Sequence, residues 1–319
     1  MAHNMRRRHH STQIRRARRI GLVLANAAHL GADGRGRFHA PRVLQSWPGI
    51  VHGGVLAALL DVAGGQLGAP RGPRLVEARL TASIPLETTL DLDGRAGAIT
   101  SVALVQEGQT LGSGTVAAPT PVAAGEGAAD DADASGASWR GGAVGWTLPM
   151  SDDCLACGAA NPLGLQVALR FDEEGVWVRW TPREPWRAGD RGALGAGEDA
   201  LDDALAPVLL DEVAWWLGAL TMREGGLTNR LAVRFHRPLL PWRAEGLVAA
   251  GRFADVTPID RKRTFWRTRG ALLTAEGEPL ATATIVFRGG PDYSERQMPY
   301  FRPRTDPEVF RRMFPHHAA

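Results

Sequence analysis

One pattern occurs twice along the chain, and this duplication constrains the fold more than any other feature. An apolar helical run that carries Asp61 in the first half matches a run that carries Asp211 in the second, and two leucines precede each acid. Strand-like stretches follow each run, and the strand that ends at Pro85 corresponds to the one that ends at Pro238. A helix followed by antiparallel strands is typical of the α+β class. The sequence therefore predicts two copies of one α+β domain.

Composition separates these two domains from three other segments. The Arg- and His-rich residues 1–20 predict a basic N-terminal arm, and residues 119–145, rich in Ala, Gly, Asp and Ser, predict a flexible linker. The two domains are expected at 21–118 and 146–290. A tail rich in Pro, Arg and aromatic residues, 291–319, is expected to lie on the surface.

The overall composition limits the class of protein. Of the 319 residues, 44% are hydrophobic and 22% are charged, which is typical of a globular chain. We find no apolar stretch long enough to span a bilayer and no signal peptide before residue 30. Both cysteines lie in one CxxC sequence, so a disulfide-stapled secreted fold is not expected. We therefore expect a cytoplasmic protein.

The net charge is only +3, so the basic character is local, as in the N-terminal arm, and does not extend over the whole chain. Such an arm can contact nucleic acid or an anionic membrane. A solvated arm without a specific partner is the alternative.

The sequence His52-Gly53-Gly54 opens the first apolar helical run. Glycines let backbone N–H groups approach a ligand closely, and the start of a helix favours negative charge. Asp61 follows on the same helix, where a carboxylate is costly unless it is paired or used. Backbone donors for an oxyanion beside a carboxylate are the arrangement that acyl chemistry requires.

These residues resemble the PaaI-like group of hotdog-fold acyl-CoA thioesterases. In the first half the resemblance lies in residues 47–54 together with Asp61. In the second half it lies in the Cys-Gly and Asn-Pro-x-Gly-Leu sequences at 154–158 and 161–165, and in 209–212. The resemblance implies a double hotdog, in which each half is a long central helix wrapped by a curved antiparallel sheet. It also implies active sites between the paired halves.

In that family, backbone N–H groups of the glycines polarise the thioester carbonyl. The helix acid comes from the partner unit and either attacks the carbonyl or activates water. A Ser or Thr on the strand after the helix assists that acid. Applied to this chain, the resemblance gives Thr228 as the assisting hydroxyl of the second half, whereas Leu75 occupies the corresponding position of the first.

The two halves therefore contribute unequally. Where the first half has His-Gly-Gly, the second has Asp202 and Asp203, whose charges would repel an oxyanion. We predict one composite site rather than two, with Asp61 facing the Asp202–Asp203 loop. The predicted catalytic residues are His52, Gly53, Gly54, Asp211 and Thr228. Asp61 and Ser46 are secondary candidates.

Two further groups are candidates for substrate binding. Trp215, next to Trp216, either forms a wall of an acyl pocket or packs in the core. The basic run Arg261, Lys262 and Arg263 either contacts the phosphates of coenzyme A or lies on a solvated strand edge.

Cys154 and Cys157 have the spacing of a zinc knuckle, but the chain has no second cysteine pair. A ligand such as His236 or His39 could complete a site. A role in the family's turn is the preferred interpretation, so we expect no metal, and no cofactor other than the coenzyme A of the substrate.

The predicted function is hydrolysis of an acyl-CoA thioester at the composite site. The alternative is a non-catalytic acyl-CoA-binding or regulatory hotdog protein, because the second half has lost its glycine motif. A hydratase of the same fold is disfavoured, since neither helix has a His after its Asp. The resemblance also implies a homo-oligomer, a dimer of double hotdogs.

Overall fold

The computed structural model describes residues 20–119, 141–142, 144–186, 201–237, 239 and 246–317. The predicted basic arm, apart from Ile20, and most of the predicted linker lie outside these residues. The helices are α1 (Ile20–Ala27), α2 (Gly53–Gln66), α3 (Leu205–Met222), α4 (Pro291–Phe301) and α5 (Pro307–Met313).

The strands of the first half are β1 (Ala28–Leu30), β2 (Arg35–His39), β3 (Arg74–Leu80), β4 (Thr89–Arg95), β5 (Ile99–Gln106) and β6 (Gln109–Ala117). Those of the second half are β7 (Trp146–Thr147), β8 (Arg170–Phe171), β9 (Gly175–Trp180), β10 (Gly226–Phe235), β11 (Leu247–Arg252), β12 (Thr257–Pro258), β13 (Phe265–Leu273) and β14 (Pro279–Gly289).

Within the described residues, all fourteen strands belong to one antiparallel sheet. Its order is β1-β2-β4-β5-β6-β3-β10-β14-β13-β11-β9-β8-β7, and β12 pairs with β13. The halves join where β3 pairs with β10, at the pair Ala78–Leu231. These strands hold equivalent places after the helix in each half, so their antiparallel pairing relates the halves by an approximate twofold rotation.

The hairpin between β5 and β6 follows the prediction from the sequence. Its turn residues Glu107 and Gly108 have φ angles of 50° and 78°. Positive φ at both central residues matches the right-handed twist of the flanking strands.

Helices α2 and α3 lie in the core of the two halves. Helix α3 is buried along nearly its whole length, because its sequence is apolar on every side. It has the length and composition of a membrane-spanning helix, but 83% of it is buried inside the protein. The start of α2 crosses α3 at Gly54, where a Cβ atom would lie 2.3 Å from the carbonyl oxygen of Pro207. Only glycine permits this approach, which brings the start of one helix against the other half.

The C-terminal segment differs from the surface tail that we predicted. It forms α4 and α5, and Phe301, Phe310, Met313 and Phe314 are buried. The ring of Phe301 lies 4.9 Å from that of Trp47. Apolar side chains spaced along both short helices gain free energy by covering the aromatic end of α3, so this segment completes the core.

Candidate active site

A cavity of about 270 Å³ lies where the two halves meet. Residues from the start of α2, the middle of α3, the start of β10, the loop after β7 and the end of α4 line it. Every predicted catalytic residue except Gly54 lies on its wall, and Gly54 is the next residue along α2.

The side chain of Asp211 occupies the centre of this site. Its Oδ1 accepts a hydrogen bond from the hydroxyl of Thr228 at 2.9 Å, and its Oδ2 accepts one from the N–H of Gly54 at 3.0 Å. Asp211 and Thr228 belong to the second half and Gly54 to the first. The structure therefore brings together residues that lie 157 positions apart in the sequence.

This arrangement changes the role that we predicted for one glycine. The N–H of Gly54 is directed at a carboxylate oxygen, so it holds Asp211 in position. The N–H of Gly53 is at the open end of α2, where it has no acceptor within the helix. A Cβ atom at Gly53 would lie 2.3 Å from the Thr228 hydroxyl oxygen, so this backbone borders the same group of atoms.

His52 connects Asp211 with a second acid. The residue caps α2 and is only 2% exposed. Its Nδ1 lies 3.4 Å from Asp211 Oδ2, and its Nε2 lies 3.4 Å from Glu212 Oε2. Burial alone would lower the pKa of His52, but hydrogen bonds to Cys154 and Glu212 raise that pKa well above its usual value. Nδ1 accepts the N–H of Gly54 at 3.2 Å, and Nε2 faces Glu212.

The pKa values of Asp211 and Cys154 are also shifted by these buried surroundings. Burial raises the pKa of Asp211, although His52 and Thr228 favour the ionised form. The hydrogen bond from Cys157 lowers the pKa of the Cys154 thiol to about 6, against the effect of burial.

The Cys-Gly and Asn-Pro-x-Gly-Leu sequences explain how Cys154 reaches the site. The side-chain amide of Asn161 donates to the backbone oxygens of Val43 and Asp153, each at 2.9 Å. The N–H of Leu155 donates to the oxygen of Gln45 at 2.7 Å. These bonds dock a loop of the second half onto the segment that precedes α2.

Asp61 lies outside this group. Both of its carboxylate oxygens accept hydrogen bonds from Arg74, each at 2.6 Å. The same guanidinium contacts Asp203 at 2.9 Å, so Asp61 does face the Asp202–Asp203 loop. Arg74 neutralises these two buried carboxylates, so Asp61 is held in an ion pair and is not free to act as a base.

The remaining candidates divide between the cavity and the surface. Ser46 and Trp215 line the cavity, and the indole N–H of Trp215 donates to the oxygen of Gly226. Arg261, Lys262 and Arg263 are exposed in the turn between β12 and β13, and none of them lines the cavity.

Several lining residues were not assigned from the sequence. They are Trp47, Glu212, Arg288, Tyr300 and Phe301. Arg288 follows the alternating pattern of β14, which gave no reason to prefer it to other arginines. Glu212 follows Asp211 in the sequence, and its position on the helix alone does not indicate that it contacts His52.

Similar proteins were found by comparing structures and not by comparing sequences. The sequence matches no protein-family model and no curated protein. A provisionally assigned thioesterase of Novosphingobium aromaticivorans superposes with a TM-score of 0.53 at 17% identity, over 83% of this chain and 99% of that one. The tesB protein of Mycobacterium avium subsp. paratuberculosis gives 0.52 at 15% identity, over 85% and 100%.

A third similar structure is described by its fold. It is a protein of unknown function with a hot dog fold from Alicyclobacillus acidocaldarius, with a TM-score of 0.50, 16% identity, and coverage of 84% of this chain and 97% of that one. The fold is a double hotdog. In this double hotdog the helices α2 and α3 are the two central helices, and the β3–β10 junction is where the two units pair.

Proposed function

We propose that this protein hydrolyses acyl-CoA thioesters at one site between its two hotdog units. The observation that carries the proposal is the position of Asp211, whose two carboxylate oxygens are held by Thr228 and by the N–H of Gly54. A carboxylate fixed beside backbone donors in a largely apolar cavity is suited to acyl chemistry. The thioesterases among the structural relatives support this reaction class, although a fold by itself hosts many chemistries.

Asp211 acts as a general base in this proposal. It takes a proton from a water molecule, whose oxygen then adds to the thioester carbonyl carbon. The N–H of Gly53 donates to the carbonyl oxygen as negative charge develops on it. The carbon–sulfur bond then breaks, and Asp211 returns the proton to the departing thiolate. Direct attack of the Asp211 carboxylate on the carbonyl carbon is the alternative route.

The cavity accommodates the two ends of such a substrate differently. Trp47, Trp215 and Phe301 form an aromatic wall, with rings 4.9 to 5.6 Å apart, that suits an acyl or aryl group. Arg288 supplies a lining cation for the phosphates of coenzyme A. The exposed basic run 261–263 does not line the cavity. It can therefore only attract the coenzyme A phosphates over a longer distance.

A thiol-release assay tests the proposal. Purified protein is supplied with short-chain, medium-chain and aryl acyl-CoAs, and free coenzyme A is followed. We expect turnover that Asp211→Asn lowers by about 10²-fold or more. The matched control is Asp61→Asn on the equivalent helix, for which we expect turnover close to wild type.

Three results would contradict the proposal. Turnover that survives Asp211→Asn but is lost in a folded Asp61→Asn protein would place the site in the other half. The absence of turnover together with tight acyl-CoA binding would favour the binding protein that is the alternative. The absence of both would reject acyl-CoA as the ligand.

A further inference from the structure

A second cluster of side chains lies beside Asp211, and its link to the proposed hydrolysis is the approach of His52 to that carboxylate. It consists of His52, Cys154 and Glu212, and one ligand atom from each lies within 4.8 Å of the other two. His52 Nε2 is 3.4 Å from Glu212 Oε2, and Cys154 Sγ is 4.0 Å from the same oxygen. The three residues are at most 9% exposed, and all of them line the cavity.

The 3.4 Å separation matches tetrahedral coordination, and the 4.0 Å separation is slightly longer. Zinc binds nitrogen, oxygen and sulfur ligands at about 2.0–2.3 Å, so ligand atoms around one ion lie about 3.3–3.8 Å apart. Small side-chain shifts would therefore bring the cluster to the geometry of a bound ion. Imidazole, thiolate and carboxylate are also the ligand types that zinc prefers.

The groups behind these ligands hold them in the required orientation. The indole N–H of Trp216 donates to Glu212 Oε1 at 3.2 Å, which leaves Oε2 directed at His52 and Cys154. Nδ1 accepts the N–H of Gly54 at 3.2 Å. Metal binding at Nε2 would place the ring proton on Nδ1, which lies 3.4 Å from Asp211 Oδ2, and the Gly54 N–H would then keep only its bond to that oxygen. A carboxylate that accepts the second ring proton is the usual partner of a zinc-bound histidine.

We propose that His52, Cys154 and Glu212 bind one Zn²⁺ ion in the wall of the cavity, with the fourth coordination position open to that cavity. This inference does not depend on the proposed hydrolysis. It also replaces our expectation of no metal, which rested on the missing second cysteine pair and on a turn role for the CxxC; His236 and His39 were the added ligands considered there. Those histidines bond to Thr282 and Thr89 respectively, whereas the residue that meets Cys154 is His52.

Metal binding to the full-length protein tests the site directly. The protein is stripped with a chelator under reducing conditions and titrated with Co²⁺ alone, then with Zn²⁺. We expect one Co²⁺ per chain with a sulfur-to-cobalt charge-transfer band, which one equivalent of Zn²⁺ abolishes. The chain has two cysteines, both in this CxxC, so the band reports on this region and not on the histidines near the chain ends.

Variants identify the ligands. Cys154→Ser should abolish the charge-transfer band, and Glu212→Gln should weaken Co²⁺ binding by at least about tenfold. Cys157→Ser is the matched control three residues along the same loop. Serine can still donate a hydrogen bond to Cys154, so this variant should retain the band and most of the affinity. Trp216→Phe leaves every ligand in place and should weaken binding by about tenfold, because Glu212 loses its orienting donor.

Circular dichroism and thermal unfolding of each stripped variant show whether it is folded. The proposal is overturned if the folded wild-type protein gives no band. A band that survives Cys154→Ser, or equal loss in Cys154→Ser and Cys157→Ser, would also reject it. Unchanged affinity in a folded Glu212→Gln protein would remove the carboxylate from the site and leave too few ligands.

Discussion

The N–H of Gly54, in the first half of the chain, donates a hydrogen bond to Asp211, in the second half, at 3.0 Å. This bond joins the start of one central helix to the acid on the other. It depends on a close helix crossing, because the carbonyl of Pro207 leaves no room for a side chain at position 54. The site is therefore assembled only when the two halves pair.

The hydroxyl of Thr228 should matter through its hydrogen bond to Asp211. We expect Thr228→Val to lower kcat by about 10- to 100-fold, since a hydrogen bond to a charged group contributes about 1.5–3 kcal/mol. Thr228→Ser keeps the donor and should retain most of the activity. Steady-state thiol release gives kcat and KM separately, and equal losses in both variants would argue for a packing role.

The two glycines should respond differently to an added methyl group. In Gly54→Ala the new Cβ meets backbone atoms of α3, which cannot move aside, so the melting temperature should fall strongly. In Gly53→Ala it meets the side chains of Thr228 and Asp211, which can rotate away. That variant should stay folded but lose activity. Differential scanning calorimetry beside the thiol assay distinguishes the two, and a reversed order would contradict the geometry.

Arg74 should be important for stability. Arg74→Met leaves Asp61 and Asp203 without their cation, and breaking a buried ion pair costs about 3–5 kcal/mol of unfolding free energy. Replacing Asp61 as well, in an Asp61→Leu, Arg74→Met double variant, should recover part of this loss. Urea unfolding measures both. If the double variant is less stable than Arg74→Met alone, the ion pair is not the source of the effect.

Asp202 should make stability depend on pH. Burial raises its pKa from the ordinary value to about 7 in the folded protein. Between about pH 4, the unfolded value, and pH 7 the folded state then binds more protons, so this group lowers stability as pH rises. Asp202→Asn should unfold at a higher temperature than wild type above pH 7, and at a similar temperature near pH 4. Thermal unfolding across this range checks the sign, and an Asn variant that is less stable at high pH would refute it.

The aromatic wall should depend on the C-terminal segment. Phe301→Ala removes a buried ring that contacts Trp47 and Trp215. We expect KM for aryl and medium-chain acyl-CoAs to rise more than KM for short-chain substrates, because a longer acyl group covers more of this wall. An exposed site such as Arg311→Ala, on α5, is the control. A uniform change in KM for all chain lengths would separate Phe301 from acyl binding.

Local patterns in the sequence determined much of this protein. Apolar periodicity and glycine turns predicted both central helices and the β5–β6 hairpin, because these features depend on neighbouring residues. The repeat around Asp61 and Asp211 predicted two copies of one α+β domain, and the family resemblance implied the double hotdog, which the structure confirms. The unequal motifs of the two halves led to one composite group of residues, and the structure brings that group together; its catalytic role remains a prediction.

Tertiary structure decided which partner each polar group has. Nothing near Asp61 in the sequence indicates that Arg74 binds both its oxygens, and nothing near Gly54 indicates that its N–H is directed at Asp211. The same is true of Cys154, which meets His52 and Glu212 only because a loop of the second half docks before α2. Such contacts arise from the pairing of β3 with β10 and the crossing of the two helices. Distances across those interfaces depend on the packing of whole surfaces, and local periodicity carries no information about them.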